Sequence, residues 1–154
     1  MKKLLILTLA VLLVLAVFSG CGSAAKDFSP AEAAQAILDT GAFSDILSPV
    51  DLKIAANLYG VDASLLADGC LYCSTGATAE EIAVFKCTDA NAAGTVKAAA
   101  GERLERQKAA YAVYAPEAVP AIEDAVVRAS GCYVVCVVSV DAAAVDGILA
   151  KYME

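Results

Sequence analysis

The chain opens with an apolar run placed between two lysines and a run of small residues. Lys2 and Lys3 precede the 15-residue stretch Leu4–Phe18, and Ser19-Gly20-Cys21 follows it. A transmembrane helix needs roughly 20 apolar residues, so this stretch is short for a membrane span. A basic start, a short apolar core and small residues are typical of an export signal. The pattern predicts a cleaved leader over residues 1–20; the alternative is an uncleaved anchor helix.

Beyond the leader, the pattern predicts a tether and then two helices. Residues 21–28 are mostly small or polar and predict the tether. Ser29-Pro30-Ala31-Glu32 combines an N-cap, a proline at the first helical position and a glutamate that completes a capping box. Ser48-Pro49 predicts the start of a second helix, and Gly60 predicts its end.

After Leu65 the apolar pattern changes from helical to strand-like. Gly69–Thr75 and Glu81–Cys87 are two largely apolar runs with Gly76 between them, which predicts an antiparallel hairpin. Thr78-Ala79-Glu80-Glu81 also matches a capping box and could start a helix. The β-branched and aromatic residues that follow favour the strand.

The rest of the chain repeats this order. Thr88-Asp89 predicts the cap of a long helix over residues 90–111, whose charged residues (Arg103 among them) mix in sign and predict a solvated face. A second strand pair follows at 125–129 and 132–140, and a last helix begins after Asp141. The order ββαββα predicts a single α+β domain over residues 29–154. It has a four-stranded, mostly antiparallel sheet with helices on one face.

Charge and residue usage exclude several classes of function. Removal of Lys2 and Lys3 with the leader leaves nine basic residues against 18 acidic ones. Nucleic acid is not an expected partner, because phosphate binding needs clustered Lys and Arg. The chain contains no histidine, which excludes Ser-His-Asp and Cys-His catalysis and imidazole metal sites. We predict no cofactor, no metal site and no catalytic residue.

Five cysteines follow Cys21: Cys70, Cys73, Cys87, Cys132 and Cys136. Cys70 and Cys73 have the spacing of a redox or metal motif, but residues three apart on a strand point to opposite faces. Cysteine packs in cores as a small apolar residue, which favours buried free thiols. A disulfide between Cys70 and Cys87 across the hairpin is the candidate pairing, if the register places the two residues opposite each other. An odd count leaves at least one thiol unpaired.

The hairpin loop is the candidate contact site. It is small, polar and contains glycine, and it ends in adjacent carboxylates; the candidate residues are Thr75, Gly76, Thr78, Glu80 and Glu81. The alternative, which we favour, is a turn whose hydroxyls bond to the local backbone. The loop lacks the lysine of a phosphate-binding loop, and the chain has no calcium-loop spacing of acidic residues.

Two segments of the chain resemble known families, and these resemblances imply where in the cell the protein is located. Phe18-Ser19-Gly20-Cys21 resembles the lipobox of bacterial lipoproteins, in which the cysteine thiol is diacylated and the leader is cleaved before it. The later chain, from about residue 33 onward, resembles small lipoproteins of Gram-positive bacteria that carry an extracytoplasmic domain of unknown function. The segments that carry this second resemblance are Ser74–Phe85, Arg103–Lys108, Tyr114–Glu117 and Tyr133–Val138. Neither resemblance implies an activity.

The sequence therefore predicts a lipoprotein held on the extracytoplasmic face of the cell membrane by diacylglycerol on Cys21. Its predicted role is that of a non-enzymatic binding or accessory module, whose partner is another envelope protein or a small ligand. The alternative is a thiol-based redox or metal-binding protein that uses Cys70 and Cys73. A small-solute receptor is a weaker third hypothesis, because such receptors close two lobes around a ligand and this chain supports one domain.

Overall fold

The computed structural model describes residues 26–153. The predicted leader and most of the predicted tether lie outside these residues. In chain order the longer elements are α1 (Pro30–Leu38), β1 (Ser48–Val50), α2 (Leu52–Tyr59), β2 (Leu66–Cys73), β3 (Glu81–Cys87), α3 (Ala90–Tyr114), α4 (Val119–Glu123), β4 (Val126–Ser130), β5 (Tyr133–Val138) and α5 (Ala142–Met153). This is the α+β class that the pattern predicts.

The sheet has five antiparallel strands in the order β1-β2-β3-β5-β4. The prediction of four strands was wrong, because β1 was read as the start of a helix. Pro49 pairs with Tyr72 at the sheet edge, where a residue without an N–H is tolerated. The helix begins after Asp51, whose carboxylate accepts a hydrogen bond from the Lys53 N–H at 2.9 Å. The antiparallel hairpin of β2 and β3 is confirmed.

Helices cover both faces of the sheet, which corrects the prediction of one covered face. On the first face, α2 and α3 pack on a cluster that includes Leu71 and Phe85. On the second face, α1 and α5 pack on a cluster that includes Ile82, Val135 and Val137. Both faces of β3 and β5 are buried, and strands of this kind read as nearly continuous apolar runs. The fold therefore has three layers.

Local signals fix the helix ends. The Ser29 hydroxyl accepts from the Glu32 N–H at 3.4 Å at the start of α1, and Asp89 accepts from the Ala92 N–H at 2.8 Å at the start of α3. Gly60 closes α2 with a φ of 71°, in the left-handed region that glycine adopts without strain. Within residues 26–153 we find no helix that combines the length and the apolar character needed to cross a membrane.

Candidate functional site

A group of polar side chains gathers at one end of the sheet, around the loop that joins β2 to β3. The Ser74 hydroxyl donates to the Thr78 carbonyl oxygen at 2.6 Å, and the Tyr111 hydroxyl donates to the same oxygen at 2.6 Å. Gly76 turns the loop with a φ of 96°. The loop is therefore fixed both to itself and to the C-terminal part of α3.

The loop is also tied to the segment between α1 and β1. The Glu80 carboxylate accepts hydrogen bonds from the Ser44 N–H at 2.9 Å, the Ser44 hydroxyl at 2.8 Å and the Asp45 N–H at 2.9 Å. In return, Asp45 accepts from the Thr75 hydroxyl at 2.7 Å and the Thr75 N–H at 3.0 Å. These two bonds hold the pKa of Asp45 below its usual range. The loop residues thus satisfy one another within the domain.

Glu81 is the most deeply buried charge of this region, with 1% of the residue exposed. Its carboxylate accepts from Arg103 Nη2 at 2.6 Å and from Arg103 Nε at 3.0 Å. The Tyr59 hydroxyl donates to Glu81 Oε1 at 2.7 Å, and Gln107 Nε2 donates to Glu81 Oε2 at 3.4 Å. A buried carboxylate needs this many donors to offset the loss of water. We call these four residues the Glu81 cluster.

Burial and the charge of Glu81 shift the pKa values of two of its partners, Arg103 and Tyr59. Burial alone lowers the pKa of Arg103, but the hydrogen bond and charge of Glu81 outweigh burial and raise it. Burial, followed by the nearby Cys136 and Glu81, raises the pKa of Tyr59 well above its usual value. The Arg103 guanidinium carbon lies 5.1 Å from the centre of the Tyr59 ring, within cation–π range. Both groups therefore stay protonated at neutral pH.

The five candidate residues of the loop differ in their exposure. Thr75 and Gly76 are exposed and Thr78 is half-buried, whereas Glu80 and Glu81 are buried. Adjacent residues at a strand start point to opposite sides, so each carboxylate meets a different set of donors. Arg103 was also assigned wrongly to a solvated face, because its side chain is only 13% exposed.

The Glu81 cluster could not be assembled from the sequence. Glu81 lies 22 positions after Tyr59 and 22 positions before Arg103 along the chain. Each lies on a different element, so only the packing of α2 and α3 on the sheet brings them together. The available signal was the position of Glu81 at the head of an otherwise apolar strand, since such a charge needs a partner once buried.

The two cysteines of the candidate redox motif lie on opposite faces of the sheet. Cys70 packs with the second-face cluster, and its thiol lies 3.3 Å from the Pro30 carbonyl oxygen. Cys73 packs with the first-face cluster, 4.0 Å from the Glu81 carboxylate. Burial raises the pKa of each thiol to about 11. Each thiol is therefore protonated near neutral pH and is a poor nucleophile.

The register corrects the Cys70–Cys87 pairing. Cys70 lies opposite Val84 and Cys87 lies opposite Leu66, so the two cysteines are not across from each other. The partner of Cys70 is three positions from Cys87, a separation of roughly 10 Å along a strand, too far for a disulfide. All five cysteines among residues 26–153 are free. Within the same residues, no three metal-ligating side chains converge.

The start of the described chain is fixed at the opposite end of the sheet from the loop. The Phe28 ring stacks on Tyr133 with 3.9 Å between ring centres, and the Phe28 N–H donates to the Tyr133 hydroxyl at 3.1 Å. The Lys86 ammonium contacts the Asp27 carboxylate at 2.6 Å. The register pairs Lys86 with Tyr133 at this end and Glu81 with Val138 at the loop end.

An open groove runs along the loop end of the domain. One cleft of about 190 Å³ lies between the β2–β3 loop and the helical segment that follows α3, and Glu80, Glu117, Ala121 and Val140 contribute to its walls. A second cleft of about 240 Å³ shares Glu117, Ala121 and Val140 with the first and adds Asp124 and Ser139. Because they share walls, the two clefts form one continuous surface, which we call the loop-end groove.

Comparison with known proteins identifies a family, and the description of that family names no activity. Residues 41–139 match a family model described as a domain of unknown function (DUF4358), and the chain therefore belongs to that family. No curated protein and no solved structure matches the chain. The matched residues include the whole Glu81 cluster and the β2–β3 loop.

Proposed function

We propose that this DUF4358 domain is a lipid-anchored module on the extracytoplasmic face of the membrane, and that it acts by binding rather than by catalysis. The anchor part rests on the sequence at the leader junction, where a basic start, a short apolar run and Ser19-Gly20 precede Cys21. Two acyl chains on Cys21 would give stable attachment, whereas one chain alone anchors only marginally.

The attachment of residues 27–28 supports an anchored arrangement. The salt bridge and ring stacking described above hold Asp27 and Phe28 on the sheet end formed by Lys86 and Tyr133. The six residue steps from Cys21 to Asp27 can span at most about 22 Å. Lipid on Cys21 would therefore hold this end of the sheet close to the bilayer, with the loop-end groove on the far side.

The proposal that the domain does not act as an enzyme rests on one observation, namely that the Glu81 carboxylate already accepts hydrogen bonds on both oxygens. Its two oxygens already accept from Arg103, Tyr59 and Gln107, and 1% of the residue is exposed. A general acid or base must reach its substrate within hydrogen-bond distance, directly or through one water. Glu81 would have to break a buried ion pair to do so. The cluster therefore fits a role in holding α2, α3 and β3 together.

The alternative, a thiol protein using Cys70 and Cys73, has less support. The two thiols lie on opposite faces of β2, and burial keeps both protonated. Thiol titration of the native and the unfolded protein separates the two hypotheses. If the domain is a binding module whose thiols are unreactive, both cysteines should be modified slowly until the protein unfolds. Fast, paired modification, or bound metal in stoichiometric amount, would favour the thiol hypothesis.

The anchor is tested by replacing Cys21 with serine in cells that express the full chain. We expect Cys21→Ser to abolish leader cleavage by the lipoprotein route and to change membrane retention. Cys132→Ser is the matched control, because it makes the same thiol-to-hydroxyl change at a half-buried turn residue outside the lipobox-like segment. The control should be processed and retained as the wild type is. Unchanged processing and retention of Cys21→Ser would refute the anchor.

A further inference from the structure

The loop-end groove combines an acidic wall with an apolar floor. Glu117 lines both of its clefts, and Asp124 lines the second. Neither carboxylate belongs to any of the salt bridges found among residues 26–153. The floor consists of small or apolar side chains, Ala77, Ala79, Ala118, Ala121 and Val140. No lysine or arginine contributes to either wall, so the electrostatic field of the groove favours a cation.

A buried hydroxyl without a partner lies at the same place. Ser139 lines the second cleft and is only 4% exposed. Among residues 26–153, its Oγ is one of two buried side-chain atoms that lack a hydrogen-bond partner; the other is Gln107 Oε1. A buried polar atom that goes unsatisfied is costly, so such atoms usually have a partner. A bound group could supply the missing hydrogen bond of Ser139.

One exposed apolar side chain lines the groove, and two others lie on segments that contact the β2–β3 loop or its neighbours. Val140 lines both clefts and is 62% exposed. Ile46 and Tyr114 are also exposed; Ile46 follows the Ser44-Asp45 segment that binds the loop, and Tyr114 packs against Tyr111. Apolar side chains that are exposed beside a cleft can pack against apolar side chains of a bound partner.

We propose that the loop-end groove binds a basic, apolar-bearing peptide segment of a partner protein. A lysine or arginine of that segment lies between Glu117 and Asp124, and neighbouring apolar side chains pack on Val140 and the alanine floor. The backbone of the segment provides a partner for the Ser139 hydroxyl. This proposal rests on the binding role proposed above and names the chemistry of its partner. The groove faces away from the sheet end that holds residues 27–28, so an anchored domain leaves it open to a partner.

The test uses the full chain in detergent and measures the fluorescence anisotropy of a dye-labelled peptide that alternates lysine and valine. We expect this peptide to bind and the double variant Glu117→Gln/Asp124→Asn to bind it at least about tenfold more weakly. Raised salt should weaken wild-type binding, because exposed charges are screened. The matched control is Glu32→Gln/Asp68→Asn, which removes two exposed charges that line neither cleft and should bind as the wild type does.

Three results would overturn the proposal. One is equal binding by the groove variant, the control variant and the wild type. Another is equal binding of a peptide in which glutamate replaces lysine. The third is competition by n-butylamine at the affinity of the peptide, which would indicate a site for small cations. Each of these results leaves the Cys21→Ser experiment unaffected, so failure of the groove and failure of the anchor are distinguishable.

Discussion

Removal of Arg103 should destabilise the domain far more than removal of a neighbouring surface arginine. Arg103→Met keeps a long apolar side chain and leaves the Glu81 carboxylate buried without its cationic partner. Breaking a buried ion pair in this way costs about 3–5 kcal/mol. The Arg103 side chain is 13% exposed and that of Glu81 1%, so solvent screening is weak at this pair. We expect a loss of about 3 kcal/mol, a large fraction of the roughly 5–15 kcal/mol by which domains are stable.

The control is Arg106→Met on the same helix. Arg106 is 54% exposed and lies 3.9 Å from the Glu102 carboxylate, also exposed. Exposed pairs of this kind contribute roughly 0–1 kcal/mol. Both variants make the same substitution in the same helix. The difference between their losses of unfolding free energy therefore measures the effect of burying the charge.

The assay is urea unfolding of residues 21–154 carrying Cys21→Ser, followed by circular dichroism. The single variant Glu81→Gln and the double variant Glu81→Gln/Arg103→Met complete a thermodynamic cycle with Arg103→Met. We expect the double variant to be more stable than the sum of the single losses predicts, because it leaves no unpaired charge. The reasoning is refuted if Arg103→Met costs no more than Arg106→Met, or if the losses of Glu81→Gln and Arg103→Met simply add in the double variant.

Three further predictions concern the loop, the N-terminal contact and the thiols. Asp45→Asn should weaken the bonds to Thr75 and speed amide hydrogen exchange in the β2–β3 loop, while exchange in β5 stays unchanged; equal exchange in the loop would contradict the assigned contact. Lys86 and Tyr133 lower the pKa of Asp27, so the stabilising contact is present above the usual aspartate value of about 4 and is lost as pH falls through the lowered pKa. Chemical shifts of Phe28 followed from pH 7 to pH 2 should change only at the acid end, and a change near pH 6 would argue against this assignment. Burial raises the pKa of Cys136 to about 12, so a thiol reagent at pH 8 should modify it only on unfolding; rapid modification of the native protein would show that the site opens.

The elements with local signals could be predicted from the sequence. The hairpin of β2 and β3 followed from two apolar runs around Gly76, and the cap of α3 followed from Asp89. The separation of Cys70 and Cys73 onto opposite faces followed from the period of a strand alone. In each case neighbouring residues in the chain determine the geometry.

The features that depend on distant contacts could not be predicted. Ser48-Pro49 resembles a helix start, and only its pairing with β2 shows that it forms an edge strand. The second covered face needs α1 and α5 to meet on the sheet from opposite ends of the domain. Arg103 has the sequence neighbours of a surface residue, and its burial follows from Glu81, which lies 22 positions earlier. A local residue pattern indicates whether a position favours a helix or a strand. It does not indicate which distant residue the side chain will contact.

The central claim is that Cys21 is the first residue of a mature, lipid-bearing chain. Intact-mass measurement of the full chain, extracted from the membranes of cells that express it, tests this claim most directly. We expect the loss of residues 1–20 and an added mass on Cys21 that corresponds to diacylglycerol. A chain that retains Met1, or one that begins at Cys21 with an unmodified thiol, would contradict the claim.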